Sequence, residues 1–298
     1  MKPIVECVPN FSEGRRRDVV DQIVATMGQT PDVQVLDVQS DADHNRSVVT
    51  VVGPPQATLE AAFQAVATAA QRIDLNHHRG EHPRMGATDV VPFVPVRGVT
   101  MEECVALARQ LGARVGGELG IPVYLYEEAA TRPERRNLAD VRRGEYEGLR
   151  EAISTDPARQ PDFGPSVLGP AGATAIGARP PLLAFNVYLN TDDMAPARAI
   201  AAAIRHSGGG LRYVKALGLR VEGKAQISMN LTDYRHTPIH RVVEMIRGEA
   251  ARFGLSITHS EVVGLLPAQA LLDAAQFYLQ LHSLSADQIL ENRLTEDE

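Results

Sequence analysis

Leu182-Leu183-Ala184-Phe185-Asn186-Val187-Tyr188-Leu189 decides the reading of this chain, because an order of elements that has run once begins again there. The stretch is rich in β-formers and follows a Pro/Gly-rich segment from Pro157 to Pro181. Downstream, the pattern predicts a helix over 194–207 and paired strands over 212–220 and 225–231, about the turn-like Glu222-Gly223. A helix over 238–253 and a strand near 256–263 follow. A closing helix starts at Pro267, where the missing N–H of proline does no harm in a first turn. The charged tail from Glu291 to Glu298 is expected to fray.

The same order stands upstream. Residues 3–8 read as a strand and 15–28 as a helix, with Asp18, Val19, Val20, Ile23, Val24 and Met27 in register. Strands follow at 33–38 and 47–52. The next helix, 56–73, carries Leu59, Ala62, Phe63, Val66 and Ala69-Ala70 at helical spacing. A strand at 90–96 completes the set, and a helix at 100–116, a strand at 122–127 and a charged helix at 138–154 are appended. The expected fold class is therefore α+β, with two ferredoxin-like β-α-β-β-α-β subdomains over 1–180 and 181–298. Two such halves imply a groove between them, a preferred place for a site.

At 298 residues, each half can hold a real core. Net charge of −7 argues against nucleic acid as a partner. Only Lys2, Lys215 and Lys224 are lysines among 30 basic residues. Arginine suits bidentate contacts to carboxylates, which lysine makes less well. Cys7 and Cys104 form no disulfide framework or zinc spacing and read as small core residues. No signal peptide opens the chain and no apolar run is long enough to span a membrane, so no membrane partner and a cytoplasmic location are expected.

The densest chemistry lies in His77-His78-Arg79-Gly80-Glu81-His82-Pro83-Arg84-Met85-Gly86-Ala87-Thr88-Asp89, which holds three of the nine histidines. Gly80 and Pro83 forbid a regular helix here, so the groups sit on a turn before an apolar strand. That also breaks the i, i+4 spacing of His78 and His82, and no metal-ligand pattern results; no metal is expected. Imidazole acid/base chemistry is the better reading, and the spacing alone does not choose among the three rings.

Asp41-Ala42-Asp43-His44-Asn45-Arg46 is a second polar knot. It reads either as an ordinary hairpin loop or as a substrate-facing loop whose Arg46 can take a carboxylate. From Asp162 to Arg179 runs a third stretch, rich in glycine but without a dinucleotide or Walker pattern. Its interleaved prolines and apolar residues suggest an ordered strip whose backbone approaches a flat ligand. No Gly-x-Ser-x-Gly elbow supports a serine hydrolase.

These segments resemble the formiminotransferase family over nearly the whole chain. The resemblance rests on Val5-Glu6-Cys7-Val8-Pro9-Asn10-Phe11-Ser12-Glu13-Gly14, Asn45-Arg46, Gly80 through Ala87, Pro95 through Val99, Pro122 through Tyr126, Gly144-Glu145-Tyr146-Glu147, Asp162 through Ser166 and Leu183 through Asn186. It implies two ferredoxin-like subdomains flanking a folate groove. The implied activity is transfer of the formimino group from N-formimino-L-glutamate to tetrahydrofolate, giving 5-formimino-tetrahydrofolate and L-glutamate, in histidine degradation.

By the same resemblance, the acid/base histidine is His82. The folate strip is Gly164, Pro165, Ser166, Val167, Leu168, Gly169, Pro170, Ala171, Gly172 and Ala173. Asn45, Arg46 and Arg84 are then the expected substrate-binding residues, the arginines holding carboxylates. Tetrahydrofolate, polyglutamylated or not, enters as co-substrate, and a homodimer is implied. The cyclodeaminase domain that follows in animal relatives is expected to be absent. Position 39, acidic in some relatives, is Gln39, so an acidic partner for His82 would come from Asp37, Asp41 or Asp43, or be missing. Alternative readings are a formyltransferase using N-formylglutamate on the same fold, and a non-catalytic folate-binding protein.

Overall fold

A computed structural model describes residues 2–221 and 223–294; Glu222 of the expected turn and the tail residues 295–298 lie outside the described residues. The chain forms two compact units that divide between Arg179 and Pro180. The first runs β1 (Ile4–Cys7), β2 (Asn10–Phe11), α1 (Arg17–Gly28), β3 (Gln34–Asp41), β4 (Arg46–Gly53), α2 (Pro55–Arg72), β5 (Thr88–Arg97), α3 (Met101–Glu118), β6 (Val123–Glu127), α4 (Leu138–Val141), α5 (Glu145–Ala152) and β7 (Thr174–Ala178). β1 and β2 form one line interrupted at Val8-Pro9, where proline has no N–H for the ladder, and both segments pair antiparallel with β4 and β5. β3 pairs with β4, while β7 and β6 extend the sheet in parallel from β5.

Alternation along the strands gives this sheet two different faces. Val5, Cys7, Val49, Val51 and Phe93 point into the core with Val19, Ile23, Leu59 and Leu107 of α1, α2 and α3. Both cysteines are buried in that core, as expected for small core residues, and burial pushes their thiols up, that of Cys104 to about 11. On the opposite face, Val90, Tyr124, Tyr126 and Ala175 pack with Val141 and Leu149, so α4 and α5 lie over the β5–β7–β6 end. The other end of this face carries Arg46 on β4, with Asp41 and Gln39 beside it on β3 and Asn10 on β2.

Three local expectations need correction. The charged helix expected over 138–154 is broken at Arg142-Arg143-Gly144: Gly144 and Glu145 take left-handed φ values of +86° and +54°, which a helix cannot accommodate. β7 lies unpredicted inside the Pro/Gly-rich segment. All five of its residues are buried, so it lacks the alternation of a half-exposed strand. Gly177 is required there because a Cβ would stand 2.6 Å from the ring of Tyr126. The helix expected over 194–207 stops at Ile204.

The second unit runs β8 (Leu183–Leu189), α6 (Met194–Ile204), β9 (Val214–Val221), β10 (Lys224–Leu231), α7 (Ile239–Ala251), β11 (Ile257–Val263), α8 (Ala268–Tyr278) and α9 (Leu290–Leu294). Its antiparallel sheet has the order β11-β8-β10-β9. Asp193 starts α6 by accepting from the Ala195 N–H at 2.9 Å, and Ile200, Ile204, Val242 and Ile246 bury against Val187, Ile227 and Met229. In both units the succession from first to fourth strand is β-α-β-β-α-β, with the fourth strand beside the first and the third between first and second.

Candidate active site

The loop before β4 is held from two sides by residues that lack side chains. A Cβ on Gly14 would lie 2.2 Å from the Asp41 carbonyl oxygen, and one on Gly80 would lie 2.3 Å from that of His44. Asn45 joins the three segments. It adopts a left-handed φ of +49°, which asparagine tolerates, and its side chain is buried. Its Oδ1 accepts from the Gly14 N–H at 3.0 Å and its Nδ2 donates to the Arg79 carbonyl at 2.9 Å. The Asn45 amide thus orders the loop, and its hydrogen bonds are to backbone.

Arg46 follows, and the strand direction aims it at His82. Its Nη1 lies 2.8 Å from His82 Nε2 and 3.4 Å from Asn10 Oδ1. Its Nε is buried without a hydrogen-bond partner, and no carboxylate pairs with it among the described residues. Since guanidinium only donates, the His82 Nε2 presents its lone pair to Arg46 and the ring proton sits on its other nitrogen. Burial, then the charges of Arg46 and Arg142, then His44, push His82 from its ordinary 6.5 down to about 3. His82 is therefore uncharged at physiological pH.

Of the acidic candidates near Gln39, Asp37 and Asp41 are engaged elsewhere. Asp37 accepts from Gln39 Nε2 at 2.9 Å, and Asp41 accepts from the His44 N–H and pairs with His44 Nδ1 at 2.9 Å. The other two rings of the cluster separate cleanly. His77 is exposed near Asp74, whereas His78 is buried, bonded through Nε2 to the Asn45 carbonyl at 3.0 Å and accepting from Arg84 Nε at 3.2 Å.

Arg84, expected to hold a substrate carboxylate, already holds two carboxylates of the protein. Its Nη1 contacts Glu145 at 2.8 Å and Glu147 at 2.9 Å, and its Nη2 contacts Glu147 at 2.7 Å. These bonds, Glu147 first, raise its hold on its proton. Arg84 thereby fixes His78, which in turn fixes the Asn45 loop. Glu145 and Glu147 belong to the Gly144–Glu147 motif, so the sequence marked them without showing their partner.

Arg142 carried no sequence signal beyond the charged helix it was placed in. It emerges where that helix breaks, pairs with Asp89, and leaves its Nε buried and unpartnered. Asp89 is 1% exposed and also accepts from the Met85 N–H at 2.9 Å.

The glycine strip is stitched to the same segment. Ala87 N–H donates to the Ala171 carbonyl at 2.8 Å, and Ala173 N–H to that of Met85 at 2.9 Å. A Cβ on Gly86 would lie 2.0 Å from the Ala173 oxygen, and one on Gly172 2.3 Å from that of Met85. Gly172 and Ala173 are therefore buried parts of the scaffold. Gly164, Pro165, Val167, Gly169 and Pro170 remain exposed, with Ser166, Leu168 and Ala171 half-buried between them. No cluster of metal-ligating groups occurs among the described residues.

A two-unit α+β chain thus carries an uncharged imidazole in contact with an arginine that no carboxylate pairs among the described residues. The comparisons identify the class more closely. The model of the formiminotransferase domain, N-terminal subdomain, matches residues 4–179, and that of the formiminotransferase domain matches residues 184–294. The chain belongs to the formiminotransferase family. It is 51% identical to the glutamate formimidoyltransferase of Streptococcus pyogenes serotype M1 over 298 residues, 99% of each chain. It is 54% identical to the glutamate formimidoyltransferase of Thermoplasma acidophilum over 295 residues, 98% of this chain and 97% of that one. The formimidoyltransferase-cyclodeaminase of Mus musculus is 47% identical over 294 residues, which cover 95% of this chain and 54% of the mouse protein.

Proposed function

We propose that this chain is a glutamate formimidoyltransferase, moving the formimino group of N-formimino-L-glutamate to tetrahydrofolate and releasing L-glutamate in histidine degradation. One observation carries the reading at atomic level: a half-buried arginine, its Nε buried without a partner and no carboxylate beside it among the described residues, touches a neutral imidazole. A buried guanidinium N–H without an acceptor is costly, and the carboxylate of the formimino donor is the anion that offsets the cost.

In this reading, Arg46 takes that carboxylate, with Asn45 holding the loop that presents it. The transfer removes one proton from the attacking nitrogen of the reduced pterin and delivers one to the departing glutamate nitrogen. His82, uncharged at the start, accepts the first and supplies the second, a role with a typical effect of about 10²–10⁴-fold. The strip Gly164–Ala173 lies along the folate, its exposed residues nearest the ligand, and no step uses a metal.

In this reading 1–180 and 181–298 are the two formiminotransferase subdomains, each ferredoxin-like in plan. A cytoplasmic location and a homodimer belong to the same reading, the latter tested by light scattering in solution. No helix of the described residues is long and apolar enough to cross a membrane.

The test is an assay of tetrahydrofolate-dependent turnover with N-formimino-L-glutamate and, separately, N-formylglutamate. Turnover of the formimino compound that is lost in a folded His82→Ala variant supports the reading. Preference for the formyl compound moves the assignment to the formyltransferase, and tight folate binding without turnover of either would leave a folate-binding protein.

A further inference from the structure

Arg46 occupies a position that a residue used only for substrate binding does not need. Its Nη1 donates to His82 Nε2 at 2.8 Å, the very lone pair that a general base must use. While that bond persists, His82 cannot accept a proton, because guanidinium does not give its own proton up. The surroundings offer Arg46 nothing better. Asp41, its neighbour across the β3–β4 pair, is engaged by His44. Asp89 is engaged by Arg142 and the Met85 N–H. Asn10 Oδ1 is at 3.4 Å, and Arg46 Nε has no partner. The groups facing His82 are therefore Arg46 from β4, His44 from the β3–β4 turn with its ring edge-on at 6.3 Å, and Arg142 from the break after α4.

We propose that Arg46 caps the catalytic base in the free protein and that the carboxylate of the formimino donor uncaps it by drawing the guanidinium onto itself. The inference rests on the function proposed above and adds to it a coupling between substrate recognition and the base. A carboxylate bond to guanidinium is roughly twice as strong as a bond to a neutral acceptor, so the exchange is downhill once a carboxylate arrives. Neutralising Arg46 also lifts one of the charges that hold His82 down, while burial and Arg142, tied to Asp89, stay in place. Arg46 acts here as a positioning residue that selects compounds bearing a carboxylate, and its effect falls on kcat as well as on KM.

The experiment separates the reacting group from the carboxylate. Formamidine carries the amidine carbon without the glutamyl part, and glutarate carries carboxylates without the amidine. With wild-type protein and tetrahydrofolate, formamidine should react slowly, and added glutarate should accelerate it on the order of tenfold or more. In Arg46→Met the formamidine rate should start high and ignore glutarate, while KM for N-formimino-L-glutamate rises. In parallel, nitrogen NMR of wild-type His82 should show Nε2 losing its guanidinium bond, and the titration midpoint moving up, when glutarate is added. That readout needs no variant and no turnover. A His82 signal indifferent to glutarate overturns the cap, as does a formamidine rate that is the same in wild type and Arg46→Met and is unaffected by glutarate. Failure of wild-type protein to turn over N-formimino-L-glutamate itself would instead overturn the function on which the cap is built.

Discussion

Arg84 is buried and Arg46 half-buried in the same half of the molecule, and their partners differ in kind. Arg84 meets two carboxylates, Glu145 and Glu147, and through Nε it steadies His78. Arg46 meets an imidazole and an asparagine oxygen and no carboxylate among the described residues. A guanidinium whose charge is balanced within the fold serves the scaffold, and one left unbalanced awaits an anion from outside. Under the proposed function, the contrast separates the part of the His82 region that holds shape from the part that would meet substrate.

The largest expected effect tests the imidazole beside Arg46. His82→Ala should lower kcat by about 10²–10⁴-fold, with the folded content unchanged by circular dichroism. A smaller loss would place the base elsewhere. Next, Arg46→Ala should lower kcat/KM for N-formimino-L-glutamate by about 10–100-fold, the worth of a charge-assisted bond of about 1.5–3 kcal/mol. Arg84→Met should invert the pattern, lowering unfolding stability by about 1–3 kcal/mol in urea titrations while kcat/KM falls less than in Arg46→Ala. Glu145 and Glu147 are partly exposed and regain water when Arg84 is removed, which holds the loss to that range. The smallest effect is expected of Glu147→Gln, within about 1 kcal/mol, because Glu145 still pairs with Arg84.

Acid sharpens the same contrast. His82 binds its proton at 6.5 in the unfolded chain and at about 3 in the fold, because of burial and then Arg46. Between those values the unfolded chain holds a proton that the folded chain refuses, so stability falls as the pH drops from about 6.5 toward 3. His78, lowered by burial, contributes with the same sign. His82→Gln should flatten the dependence in that window, measured as the urea midpoint against pH.

The sequence made the alternation of strands and helices legible because most elements bury one face only. α2 shows this plainly, with Leu59, Ala62, Phe63, Val66 and Ala69 on its inner side. β7 escaped because it is buried throughout and built from small residues, and the helix over 138–154 was over-extended because Gly144 gave no periodic signal of its own. At the site, clustering brought the three histidines and Arg46 into view as candidates, and the family resemblance singled out His82. They could not say that Arg46 touches His82 across 36 residues, nor that Arg84 finds Glu147 across 63. Which arginine is left unpaired is a property of the fold. Arg142 was hidden for the same reason, since its importance comes from where the break in the helix puts it beside Asp89.

The most direct test is the titration of His82 by NMR in the ligand-free protein, assigned by comparison with His82→Gln. A neutral base under an unpaired arginine should show a midpoint near 3, with the Nδ1-protonated tautomer above it. A midpoint near 6.5, or the opposite tautomer with Nε2 protonated, would contradict the arrangement in which Arg46 donates to the catalytic lone pair.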